Sequence, residues 1–407
     1  MFARILYLTA ALLFGVVAAQ AQPVTAIGPV TVGHCAAFNS PTVIKDAGAG
    51  CSSGWTNIRH PQTSAYAAVS SDCGATLALG GGAFYTLTVN AASGYTATCI
   101  LVVLNEDTGR AKNVSVNGVG QFYLWPQQTA VIYNDNNVWQ ISRPMRWSLN
   151  ATTTFNVSPT GNDSNDCLGT GSGACLTIQG AINIVCAFID AATQRVNIAV
   201  ADGTYGAINL CPVVGAAVGS GQAGPNPHIT GNVATPANCT ISTANAAAIH
   251  AAGPMNDWFI EGFTLTASGG GGIDIQVDAT AWVRFGVLTL GNAGSTVAVQ
   301  ALNNGVIEFM GNLSVTGTGL AIFAYSYLRA YILFSAINIT LVSTPSINVF
   351  AESRLGATQT WQGVTFTGTF TGTRFIADTG GGIDTGGGAN FFPGTVAGSA
   401  TNPGWYD

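Results

Sequence analysis

The sequence predicts an all-β chain whose short strands wind into a solenoid of stacked coils. Three observations carry that reading. The segments GVIEFMGNLSVTG from Gly305, AYILFSAINITLV from Ala330 and TWQGVTFTGTF from Thr360 lie over one another, each after a short strand that ends at Ala301, Ala324 or Ala351, with a fourth match at Ala377. The steps between those alanines are 23, 27 and 26 residues, a period that belongs to solenoids. Within each unit apolar residues alternate with period 2, as in Ile273, Ile275 and Val277 or Leu313 and Val315, so side chains point inward and outward in turn. Helical spacing is absent from residues 257–387.

Composition narrows the function classes. Charged residues make up 7% of the chain, against about 25% in ordinary soluble domains, so Thr, Asn and Ser supply a neutral polar surface. With 12 Lys plus Arg, a net charge of -6 and no basic cluster, the electrostatic footprint of a nucleic-acid binder is missing. A chain of 407 residues is long enough to bury a substantial core and to hold more than one domain.

Residues 1–21 read as a secretory signal peptide: Arg4, an apolar run over 5–17, then Ala19, Gln20 and Ala21 as a small-residue cleavage site. The run falls short of the ~20 residues that span a bilayer, and no later segment spans one. Residues 22–55 lack sustained periodicity and form an extended leader. Export makes disulfides the default state of the nine cysteines, and Cys167 with Cys175 across a Gly-rich loop is the pair that spacing singles out. The odd count leaves one thiol over. No C-x-x-C occurs, so no metal site is expected, and nothing implies a cofactor.

Residues 56–145 change character. The strands TLALGGGAFYTLTV, TCILVVLNEDTG, KNVSVNG and AVIYNDNNVWQI, separated by Gly and Asn turns, predict a small antiparallel, β-sandwich-like domain. Gly80, Gly81 and Gly82 form a turn and not a phosphate loop, because neither a helix nor Lys-Ser/Thr follows. After a connector at 142–150 the β-helix is expected over 151–387, followed by a Gly-rich tail at 388–407. Its entry, FNVSPTGNDSNDCLGTGSGACLTIQGAINI, holds one helical pattern: Ile178, Ala181, Ile182, Val185 and Phe188 recur at helical spacing. A solenoid needs its open end covered, and this helix is the natural lid.

The same entry segment resembles that of right-handed, single-stranded parallel β-helix proteins of the pectate-lyase-like class. Residues 346–407, beginning SINVFAESRLGATQTWQ, resemble the closing segment of tail-fibre and tailspike-like proteins encoded in rhizobial prophages, and the small β domain with its NDNNVWQI ending resembles their amino-terminal module. The resemblance implies a trimeric fibre that contacts bacterial surface glycan or exopolysaccharide. It transfers no catalytic motif.

Stacked coils place equivalent residues about 4.8 Å apart in columns, where a repeat protein assembles a site. With the four alanines as reference, the following residues are Leu302, Tyr325, Glu352 and Asp378. Glu352 and Asp378 then sit side by side, near the ~5 Å separation of a retaining glycosidase, as the candidate catalytic pair. Arg354, Tyr325 and Tyr327 are the candidate ligand contacts. The bland reading is that these charges satisfy one another on a solvated face. Asp278 shares the column but stands three coils from Glu352, about 14 Å, too far for paired acid–base work. Asp274, Asp278 and Arg284 imitate a lyase constellation with too few acids for calcium. Phe309, Phe334 and Trp361, with Arg284 before them, read as an inward aromatic ladder, and Trp258 and Trp282 as another column. No H-E-x-x-H or G-x-S-x-G occurs.

Two functions remain in view. One is a non-catalytic glycan-binding fibre, secreted, at the cell surface or in a phage virion. The alternative is a secreted polysaccharide hydrolase or lyase using Glu352 and Asp378. The export signal and the phage resemblance pull in different directions, since virion proteins need no such signal.

Overall fold

The computed structural model describes the strands Thr25–Ala26, His34–Ser40 and Val43–Gly50, and residues 58–216, 224, 226–255, 257–291, 297–401 and 403–407. The expected signal peptide lies outside the described residues. The chain divides into two compact units, 1–58 and 59–407. In the first, His34–Ser40 pairs antiparallel with Val43–Gly50, which pairs parallel with Thr25–Ala26. The expected leader therefore contains a three-stranded sheet.

The second unit opens with a five-stranded and a four-stranded sheet over a core of Leu77, Leu79, Leu87, Val103, Val114, Leu124, Ile132 and Trp139. Its pairing is mixed. Ile100–Asn105 with Thr129–Asp135, Thr129–Asp135 with Val138–Ser142, and Lys112–Val116 with Gly120–Leu124 are antiparallel, as expected. The four earlier pairings are parallel, because the chain switches sheet after each strand instead of turning back beside itself. Short strands bounded by Gly and Asn look alike in the two cases. The disulfide Cys73–Cys99 ties the start of this region to its centre.

From Thr153 onward the chain coils. Strands pass in turn through a ten-stranded, a seven-stranded and a nine-stranded sheet, and the strand pairings within these three sheets are parallel. This is the predicted parallel β-helix. Helix α1, Ile178–Phe188, closes its first coil with Ile178, Ala181, Ile182 and Val185 buried. Thr177 caps it, its hydroxyl accepting from the Gly180 amide at 2.9 Å, and Asp163 binds the Thr177 hydroxyl at 2.8 Å. Two disulfides hold this end, Cys167–Cys175 as predicted and Cys186–Cys211, which pins the helix to the coil.

The core is an aromatic pile. Phe285, Phe309, Phe334 and Trp361 stack in register in the ten-stranded sheet, with centroids 5.4, 4.8 and 3.8 Å apart. Phe323, Phe350 and Phe370 stack in the nine-stranded sheet at 4.5 and 4.8 Å. All seven are buried. The residue before Phe309 in the ladder is Phe285, not Arg284, which pairs with Glu308 on the opposite face of the strand. Trp258 pairs with Val283 and Trp282 with Val306, so those two tryptophans occupy different columns.

The tail extends the coil. Gly394–Val396 and Ser399–Ala400 pair with Phe370–Asp378, and Trp405–Tyr406 pairs with Gly382–Asp384. Tyr406 stacks on Phe375 at 3.7 Å and Phe392 meets Trp361 edge-on at 4.9 Å. Aromatic side chains thus plug the carboxyl end as the helix plugs the other. No described helix is long and apolar enough to cross a membrane.

Candidate functional site

The turns from the nine-stranded to the ten-stranded sheet build one edge of the candidate site. Five successive coils place two residues there at positive φ: Ala279 and Thr280, Asn303 and Asn304, Leu328 and Arg329, Leu355 and Gly356, Thr379 and Gly380. A left-handed leucine is costly in isolation. Here the amide of Asn304 donates to the Leu328 carbonyl and that of Arg329 to the Leu355 carbonyl, each at 3.2 Å, so stacking of the turns supplies the compensation. The repeated turn fixes which residues end each strand of the nine-stranded sheet.

Those strand ends correct the predicted register. Ala324 pairs with Ala351, but Ala301 pairs with Ser326, then Ser353 and Ala377. The row Ala301, Ser326, Ser353 and Ala377 therefore advances by 25, 27 and 24 residues. Alanine recurs at two inward positions of the strand, and the sequence alone gives no means of telling them apart. The predicted column of Leu302, Tyr325, Glu352 and Asp378 splits in two. Gln300, Tyr325, Glu352 and Ile376 form one, and Leu302, Tyr327, Arg354 and Asp378 the other.

Glu352 and Asp378 are consequently diagonal neighbours with Arg354 between them. Arg354 Nε lies 2.5 Å from Glu352 Oε1 and 3.5 Å from Asp378 Oδ2. The Nε–H is not aimed at either oxygen, so the attraction is chiefly Coulombic. Glu352 is the most covered of the three, its side chain 7% exposed against 24% for Asp378 and 41% for Arg354. Burial pushes its carboxyl above the ordinary range, opposed by the neighbouring guanidinium. Burial and the Glu352 charge likewise raise the Tyr325 phenol, which stays a hydroxyl donor. The Tyr325 and Tyr327 rings lie 5.9 Å apart, tilted by 31°.

A buried polar stack holds the strand from beneath. Ser326 Oγ donates to Ser353 Oγ at 3.0 Å, Ser353 Oγ to the Ala357 carbonyl at 2.9 Å, and Gln359 Nε2 to the Glu352 carbonyl at 2.7 Å. All three side chains are fully buried. Rows that in neighbouring coils carry alanine (Ala301, Ala377) or isoleucine (Ile332, Ile383) here carry hydrogen bonds, which fix the backbone under Tyr325 and Glu352.

Sequence reasoning missed how far the polar column runs. Asn209, His250, Gln276, Gln300, Tyr325 and Glu352 are consecutive partners across six strands. His250 reaches Asn209 Oδ1 at 3.2 Å and Asp278 Oδ2 at 3.4 Å. The signal lay in the glutamines, each following Ile275 or Val299 by one residue, but it needs the strand register to be seen. The lyase-like set comes apart. Asp274 is buried and accepts from the Ala267 amide at 3.0 Å, Asp278 stands on the nine-stranded sheet, and Arg284 is buried on the ten-stranded sheet between Asp257 and Glu308. Among the described residues no His, Cys, Asp and Glu group is arranged to hold a metal.

A concavity of about 570 Å³ lies at the first coils beside Asn156, Ser158, Thr170 and Thr230. No titratable side chain lines it, so the polar columns of the nine-stranded sheet are the better candidate for ligand chemistry. No protein-family model, no curated protein and no solved structure matches this chain.

Proposed function

We propose that the protein is a secreted or virion-associated, tail-fibre-like β-helix that binds cell-surface polysaccharide on the outer face of its nine-stranded sheet. One observation carries the reading: the six-strand column from Asn209 to Glu352, in which every residue offers a hydrogen-bonding side chain, flanked by Tyr327, Arg354 and Asp378. A linear polymer lying along the coil axis meets one such group per coil. Tyr325 and Tyr327 add faces for the apolar side of a sugar ring. The three disulfides fit an oxidising compartment.

Each contact on such a face is weak. A homotrimer would multiply the contacts through effective concentration. Binding of bacterial exopolysaccharide to immobilised protein tests the reading. Tyr325→Ala with Tyr327→Ala is expected to abolish retention while the melting temperature stays within a few degrees; retention unchanged by both substitutions sinks it. Light-scattering mass tests the trimer.

The alternative is a polysaccharide hydrolase or lyase with Glu352 and Asp378 as its acids. The raised Glu352 carboxyl favours it, while Arg354 between the two carboxyls opposes it, since the guanidinium stands where paired catalysis needs the scissile bond. Reducing ends or unsaturated products released from exopolysaccharide, and lost with Glu352→Gln, would replace the binding-only reading.

A further inference from the structure

We infer that the outer face of the nine-stranded sheet selects neutral polysaccharides and rejects polyuronates, an inference that rests on reading this face as a glycan surface. The charged side chains in its two columns are Asp278, Glu352, Arg354 and Asp378, with His250 paired to Asp278. The two columns thus hold three carboxylates and one guanidinium, and two of the three, Glu352 and Asp378, flank it. That guanidinium is already engaged on both sides by Glu352 and Asp378. A ligand carboxylate approaching Arg354 meets one attraction and, at longer range, two repulsions, and since Coulomb energy falls only as 1/r the repulsions offset the attraction. Arg329 is exposed on the adjoining turn, and Arg374, on the strand Phe370–Asp378, is turned to the Gly394 carbonyl and Asn390. By strand register Arg329 lies outside the two columns, and the Arg374 guanidinium is held by its own partners.

The remaining groups suit uncharged hydroxyls. Gln276 and Gln300 each offer a donor and an acceptor, and Tyr325 and Tyr327 each a phenol hydroxyl on a flat ring. Arg354 on this reading is a specificity lock: its two acids cancel the one charge that would attract an anionic polymer.

The experiment compares retention of the full chain on a neutral galactomannan or glucan with retention on polygalacturonate or alginate, at low ionic strength. The wild type is expected to be held by a neutral polymer and to pass polyuronates. Glu352→Gln with Asp378→Asn is expected to raise polyuronate affinity by about tenfold or more as Arg354 is released, and adding Arg354→Ala is expected to abolish the gain. Circular dichroism confirms that each variant is folded. A gain that depends on Arg354 supports the selectivity even if the neutral polymers tried are not the natural ones. Wild-type polyuronate binding that Tyr325→Ala abolishes overturns the selectivity while leaving the glycan surface intact. Absence of both neutral binding and the gain overturns the two together.

Discussion

His228 is 5% exposed, its ring centroid 5.0 Å from that of Phe259 and its Nε2 3.3 Å from Asn226 Oδ1. Burial, aided by the Arg195 charge, lowers its pKa from 6.5 to about 4. The unfolded chain takes up this proton near pH 6.5 and the folded chain only near pH 4. The stabilisation is therefore complete above pH 6.5 and is lost as pH falls through that window, by up to about 3 kcal/mol. Denaturant midpoints at pH 7 and pH 4.5 are expected to converge in His228→Gln; an unchanged difference removes His228 as the cause. Cys239 is a second buried group, its thiol pushed up to about 12 by burial. It is expected to resist iodoacetamide in the native protein and to react after denaturation, as read by mass spectrometry. That a thiol would be left over was legible from the odd cysteine count. That Glu352 faces Tyr325 was legible from the Ala324–Ala351 spacing; that its next partner is Ile376 and not Asp378 was not, because the spacing of alanines does not say how many residues each turn absorbs.

At the scale of elements the helix was the most legible feature, since its apolar period of 3.6 interrupts a chain otherwise alternating by 2. The aromatic ladder was legible as core for the same reason, from Phe309, Phe334 and Trp361 at matching offsets. The paired left-handed turns were not, because Leu328 and Leu355 carry no turn signal; only the stacked neighbours make that conformation tolerable. Phe334 lies at the centre of the pile, between Phe309 and Trp361. Phe334→Ala is expected to cost about 3–5 kcal/mol, because the cavity it leaves is walled by rings fixed to strands and cannot collapse. The helix is held differently. Cys186–Cys211 closes a loop of 25 residues between the cap and the coil, and Cys186→Ala with Cys211→Ala is expected to cost about 3 kcal/mol. Exchange of α1 amides, followed by mass spectrometry, should then speed up ahead of those in residues 320–378; uniform acceleration would mean that the cap does not open separately.

The molecule beyond residue 58 has two hydrophobic cores yet forms one compact unit, and the join between them is specific. Asp166, in the entry loop of the β-helix, is fully buried and accepts from Arg110 Nε at 3.0 Å, Arg110 Nη2 at 2.9 Å and the Ala111 amide at 2.8 Å. Arg110 and Ala111 belong to the small β region. The Arg110 guanidinium also packs against Gly169 and Gly173, where a Cβ would meet Nη1 at 2.4 and 3.3 Å, so a side chain at Gly169 would displace it from the loop. The cores themselves also touch, through Trp125, which stacks on Trp147 at 5.5 Å and meets Phe155 edge-on at 6.3 Å. Sequence composition divides the chain near residue 150, where pattern changes, and is blind to this coupling because Arg110 and Asp166 are 56 residues apart. Removing one partner of a buried charge pair strands the other and costs about 3–5 kcal/mol. Asp166→Ala puts that cost on the join and leaves both cores intact. Calorimetry of the wild type should give one cooperative transition for residues 59–407, and of Asp166→Ala two, with the solenoid of stacked coils melting apart from the smaller β region. A single transition merely shifted downward would show that aromatic contacts through Trp125 suffice to couple the cores, and that the ion pair only adds to them.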